Sequence, residues 1–190
     1  MSLISVIMPK GGNGKSSLAN ALSRSLNAFY STNDPINSFL YLNHHPKVLK
    51  QITDATIKND CVVFDAGGFI DKSITEVIKK SDVVIIPVEF SNSSIMTLDQ
   101  IFNELEAMNK NIYIVANKIE KDKDFISMLE VLKDMGINED RVIRIRKSRI
   151  FEAMLEENKS IEDFYNDAMN RNRYKDGIFN DYFKLLEVVK

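Results

Sequence analysis

The chain has 190 residues, 44% of them hydrophobic, a single cysteine and a formal net charge of -2 at pH 7. That length and apolar content suit one domain over residues 1–190 with a substantial core. The charge excludes a surface coated in basic residues, the lone Cys61 excludes an internal disulfide, and no apolar run has the length of a membrane span or the flanks of a secretory signal. No membrane association is expected, and cytoplasmic residence is the default expectation.

The first predicted element is a strand over Leu3 to Met8, followed by Pro9-Lys10-Gly11-Gly12-Asn13-Gly14-Lys15-Ser16 and a helix marked by Leu18, Leu22 and Leu26. Strand, glycine-rich loop and helix in that order form a phosphate cradle. Gly11, Gly12 and Gly14 admit close backbone approach, Lys15 supplies charge, and Ser16 opens a helix whose N-terminus favours anions and whose hydroxyl suits magnesium. Pro9 stands where the usual G-x-x-x-x-G-K-[ST] pattern has its first glycine. The extra lysine, Lys10, makes the segment resemble the deviant Walker A motif of the ParA/MinD ATPases, with the small ParA-like plasmid partition proteins as the nearest group. That resemblance implies ATP and Mg²⁺ as cofactors, Asn13 and Ser17 within the binding loop, and Lys10 crossing a dimer interface to the partner's nucleotide.

A second strand is predicted over Ala28 to Ser31, and the following Asn33-Asp34-Pro35-Ile36-Asn37 resembles the family's D-x-D-P-Q segment. The resemblance implies that Asp34 positions the attacking water, although Thr32 and Ile36 replace the first aspartate and the glutamine. Asp34-Pro35 as a simple turn start is the alternative. His44 and His45 read as a polar turn before Pro46, because no metal-spaced cysteine or acid accompanies them. The third strand, Cys61 to Phe64, leads into Asp65-Ala66-Gly67-Gly68, similar to the Walker B and switch II region. Asp65 is then expected beside Mg²⁺, and Gly68 is expected to turn its N–H toward the γ-phosphate.

A fourth strand covers Val83 to Val88, with Pro87 expected to end or distort it. Ile95, Leu98, Ile101, Phe102, Leu105 and Met108 mark a helix face, and Ile112 to Ala116 a fifth strand. Asn117-Lys118-Ile119-Glu120 comes next. In ParA-like proteins an asparagine here contacts adenine, and the segment also resembles the N-K-x-D guanine motif with Glu120 for aspartate; ATP is the expectation and GTP the alternative. Ile126, Leu129 and Leu132 mark another helix, and Val142 to Ile145 the last strand. Arg141, Arg144, Arg146, Lys147 and Arg149 form a basic cluster in which Arg144, Arg146, Lys147 and Arg149 are the candidates for DNA contact, against the alternative of a solvated charged face. Arg149-Ile150-Phe151-Glu152-Ala153 looks like the corresponding late ParA helix. The run from Phe179 to Val189 is amphipathic with mixed charge, which predicts packing on the core.

Alternating strands and helices predict an α/β, three-layer P-loop NTPase fold with a mostly parallel central sheet flanked by helices. The resemblance implies an ATP-dependent nucleotide-sandwich homodimer that partitions or positions DNA, with nonspecific DNA as a candidate partner and nucleoid association expected if DNA is bound. Hydrolysis would be stimulated by a centromere-binding or cargo adaptor. A weakly hydrolysing, nucleotide-gated positioning module for another cargo, and a GTPase, are the alternatives.

Overall fold

The computed structural model describes residues 2–34, 36, 39–68, 72–175 and 177–190. Pro35 and Asn37 of the D-x-D-P-Q-like segment lie outside the described residues. Along the chain the elements are β1 (Leu3–Ile7), α1 (Lys15–Ser25), β2 (Phe29–Thr32), α2 (Phe39–His44), α3 (Asp54–Asn59), β3 (Val62–Ala66), α4 (Lys72–Lys80), β4 (Val83–Glu89) and α5 (Asn92–Met108). They continue with β5 (Ile112–Ile119), α6 (Asp122–Asp134), β6 (Val142–Arg146), α7 (Ile150–Glu157), α8 (Ile161–Asn166), α9 (Ala168–Arg173) and α10 (Ile178–Val189).

The strands form one sheet in the order β2-β3-β1-β4-β5-β6, and every pairing is parallel. Both faces are covered. Ile4, Val6, Tyr30 and Val63 pack with α1, α7, α8 and α10, whereas Leu3, Ile7, Val62 and Phe64 pack with α4, α5 and α6. This is why the strands read as apolar runs instead of alternating ones. The chain moves from β1 to β2 and β3 on one side and then crosses to β4 on the other. The carboxyl end of β1 is therefore the topological switch point, where open α/β sheets leave a crevice for ligand.

Several local expectations are corrected. Pro87 does not end its strand: β4 continues to Glu89, and its pairing with β1 has already stopped at Ile85, so the proline removes no bond from that ladder. The seam of α6 runs through Phe125, Met128 and Leu132, with Ile126 57% exposed, because the spacing that selects Met128 and Leu132 turns Ile126 outward. Cys61 precedes β3 and is only half-buried. The turn at Pro46 follows α2, yet His45 within it is buried, with Nε2 2.8 Å from Ser23 Oγ and Nδ1 2.8 Å from the Lys47 carbonyl. The C-terminal helix α10 does pack on the core, burying Phe179, Tyr182, Leu185, Leu186 and Val189. No helix among the described residues is long and apolar enough to cross a membrane.

Candidate functional site

The loop between β1 and α1 lies at the switch point. Gly12 and Gly14 have φ of 86° and 83°, the left-handed region open to glycine. Gly14 has a second reason to lack a side chain: a Cβ there would stand 2.4 Å from Asn117 Nδ2. The loop is tied to the neighbouring strands. Buried Asn13 accepts the Glu89 N–H through Oδ1 at 2.9 Å, and its Nδ2 donates to the Lys10 carbonyl at 3.3 Å. From β5, Asn117 Nδ2 donates to the Asn13 carbonyl at 2.8 Å and Lys118 Nζ to the Gly12 carbonyl at 2.5 Å. Lys118 reaches the loop from a bulge, with φ of 58° and a register shift between Ala116 and Ile119, and it also pairs with Glu89.

A cavity of about 650 Å³ opens above this loop, lined by Gly11, Gly12, Gly14, Lys15, Ser16 and Ser17. Across it stand Asp34, Asp65, Gly67 and Gly68, so the sequence-selected acids and the glycine loop share one space. Burial pulls the Lys15 ammonium below its ordinary value, and the Asp65 and Asp34 carboxylates oppose that pull. Asp65 is 2% exposed at the end of β3 and accepts the Tyr30 hydroxyl at 2.6 Å. Asp34 is drawn onto the segment after β3: a Cβ on Gly67 would lie 2.7 Å from Asp34 Cβ, and the Gly67 N–H donates to Asn33 Oδ1 at 2.6 Å.

Sequence reasoning missed Gly67, Tyr41, Lys118 and Glu152 around this cavity. Gly67 was signalled by the double glycine after Asp65; Tyr41, whose hydroxyl is 3.0 Å from Ser17 Oγ, carries no motif. Among the described residues no three His, Cys, Asp or Glu side chains cluster as a metal site. Ser16 and Asp65 facing one cavity instead offer one hydroxyl and one carboxylate. That sparse oxygen set fits Mg²⁺, which keeps waters and takes phosphate oxygens.

Lys10 is directed elsewhere. Its Nζ donates to Ser94 Oγ at 2.9 Å and lies 3.5 Å from Ser91 Oγ, at the first turn of α5, where Ser91 is the N-cap.

A second cavity of about 680 Å³ abuts the first, sharing Gly14, Ser17, Lys118 and Glu152. Asn117, Arg149, Phe151 and Tyr174 extend it. Glu120 is not in its lining but pairs at 2.6 Å with Lys147, which is, and this pairing lowers the Glu120 pKa below the ordinary value.

The basic cluster is largely spoken for. Arg146 Nη1 lies 2.9 Å and Arg144 Nη2 3.4 Å from Asp181 Oδ1, and Arg144 Nη1 lies 2.8 Å from Asp122. Arg141 pairs with Glu106 at 3.0 Å. Arg149 is exposed at the N-cap of α7.

No protein-family model matches the chain. Among curated proteins it is 28% identical over 155 residues to the GTPase Der of Acinetobacter baumannii, a match covering 76% of this chain, and it spans 31% of that protein's length. Among solved structures, MinD of Aquifex aeolicus aligns with a TM-score of 0.68 at 16% identity, covering 98% of this chain and 97% of that one. A plasmid partition protein of Borrelia burgdorferi bound to AMPPNP aligns with a TM-score of 0.63 at 17% identity over 98% and 97% of the two chains. An ATP complex of Cyanothece McdA aligns with a TM-score of 0.70 at 12% identity over 99% and 96%. The six-stranded parallel sheet with its helical layers is the fold of the ParA/MinD-type ATPases.

Proposed function

We propose that the chain is a ParA/MinD-type ATPase that positions DNA or another cargo by forming an ATP-dependent sandwich dimer. One observation carries this reading: Lys15, Ser16, Asp34, Asp65 and Gly68 line a single cavity at the switch point, while the extra lysine of the same loop stands apart from it. In this account Lys15 holds the outer phosphates, supported by the N-terminal amides of α1, and Gly68 offers its N–H to the γ-phosphate. Ser16 and Asp65 hold Mg²⁺, which supplies charge neutralisation at the phosphates when bound. Asp34 orients the attacking water. Phosphoryl transfer depends on positioning and charge stabilisation, so a cation delivered by a partner subunit makes turnover depend on dimerisation.

Lys10 is the cation assigned to that crossing. Its ammonium rests at the positive end of α5, where the helix dipole disfavours a cation, held by the two serine hydroxyls. A partner's polyphosphate is a stronger counter-charge than two hydroxyls, which favours release toward the partner.

ATP is preferred over GTP in this reading because Glu120, which replaces the guanine-reading aspartate, is engaged by Lys147 at the edge of the second cavity. The test is thermal melting with Mg²⁺ and equal concentrations of either nucleotide, since a ligand of the folded state raises Tm by mass action. ATP is expected to raise Tm more than GTP and to lose that effect in Lys15→Ala. Greater stabilisation by GTP would replace this reading with a GTPase.

The carboxylates that occupy Arg144, Arg146 and Lys147 favour a second reading of the cargo, in which nucleotide gates a non-DNA assembly. An adaptor that stimulates turnover belongs to both readings.

A further inference from the structure

We propose that Tyr30 is a positioning residue for magnesium, setting through its hydroxyl which edge of the Asp65 carboxylate faces the nucleotide; this rests on the nucleotide-binding reading above. In the β2–β3 register Tyr30 lies opposite Val63 and Thr32 opposite Asp65, which makes Tyr30 the diagonal neighbour of Asp65 on the same face. Diagonal neighbours are within reach of an aromatic side chain. The Tyr30 hydroxyl donates to Asp65 Oδ2 at 2.6 Å, the length of a bond between a hydroxyl and a charged carboxylate. Both partners are buried, at 0% and 2% exposure. A buried polar group is costly without hydrogen-bond partners, and a bond to one named oxygen also fixes the rotation of the group.

The donor is itself held. The Tyr30 ring stacks on His45 with centroids 5.6 Å apart and meets Tyr41 at 6.5 Å. His45 is bonded to Ser23 of α1, and Tyr41 to Ser17 in the same helix. The phenol therefore links the binding helix to the carboxylate through side chains with little freedom to turn. Packing alone asks only for the ring, so the hydroxyl is the part that acts on Asp65.

The test titrates Mg²⁺ into a fixed concentration of the protein with a fluorescent ATP analogue, and measures analogue affinity in EDTA as the metal-free arm. Tyr30→Phe is expected to raise the half-saturating Mg²⁺ at least about threefold while leaving the metal-free affinity within about twofold. Tyr30→Met, which also lacks the hydroxyl but fills the space flexibly, is expected to do the same and serves if the phenylalanine variant folds poorly. In an Asp65→Asn background, adding Tyr30→Phe is expected to produce no further shift. An unchanged Mg²⁺ midpoint, or equal weakening of both arms, would overturn the positioning role. Absence of any Mg²⁺-dependent analogue binding in the unaltered protein would instead overturn the nucleotide reading on which it stands.

Discussion

His45 shows how much of the cavity's support lies in residues outside its lining. Burial, reinforced by the nearby charges of Arg24 and Lys47 and only partly offset by its bond to the Lys47 carbonyl, lowers its pKa from 6.5 to about 4. The folded state thus binds the proton more weakly than the unfolded chain does. The stabilisation is fully present above pH 6.5 and is lost as pH falls from there through about 4, to a total of about 3 kcal/mol. Urea unfolding at pH 7 and pH 4.5 should show a smaller loss in His45→Gln than in the unaltered protein; equal losses would assign the pH response to other groups. Nothing in the sequence flagged this residue as structural. Adjacent histidines before a proline look like a solvated turn, and only the packing of β2 against α1 brings His45 beside Ser23 and Tyr30.

Among the elements, β6 and α10 share the most consequential polar contact. Asp181, 4% exposed, receives Arg144 and Arg146, and burial raises its pKa while the two guanidinium groups oppose the rise. Removing its charge leaves Arg144 and Arg146 only the exposed Asp122 as counter-charge, so Asp181→Asn is expected to lower stability by about 2 kcal/mol in urea unfolding. An unchanged midpoint would make the pair dispensable. The same contact decides how DNA binding should be probed: Arg144→Glu and Arg146→Glu act on the fold, whereas Arg149→Glu changes an exposed charge. If the protein binds DNA through this region, Arg149→Glu should weaken salt-sensitive binding without lowering Tm. The strand order was not legible in the sequence, since alternation fixes the parallel class but not which strand sits where. The bulge at Lys118 was hidden too, because it arises where β5 meets both the glycine loop and β6. What could be read was the placement of Lys15, Ser16, Asp34 and Asp65 at strand ends and a helix start, and the structure brings these four to one cavity.

For the molecule as a whole, the account turns on a second copy. Within one chain the cavity holds Lys15, Asp34 and Asp65, while Lys10 lies on Ser91 and Ser94. If Lys10 acts across a dimer, turnover per chain must depend on protein concentration and on that lysine, while nucleotide affinity measured at a dilution where the protein is monomeric must not. The likeness to MinD and a partition protein shows the fold, and the dimer reading is tested through Lys10. The most direct measurement is ATP turnover per chain across a range of protein concentrations for the unaltered protein and Lys10→Ala, with ATP affinity measured alongside. The account predicts turnover that rises with concentration in the first and stays low and flat in the second, at similar affinity. Equal, concentration-dependent turnover in both would contradict it.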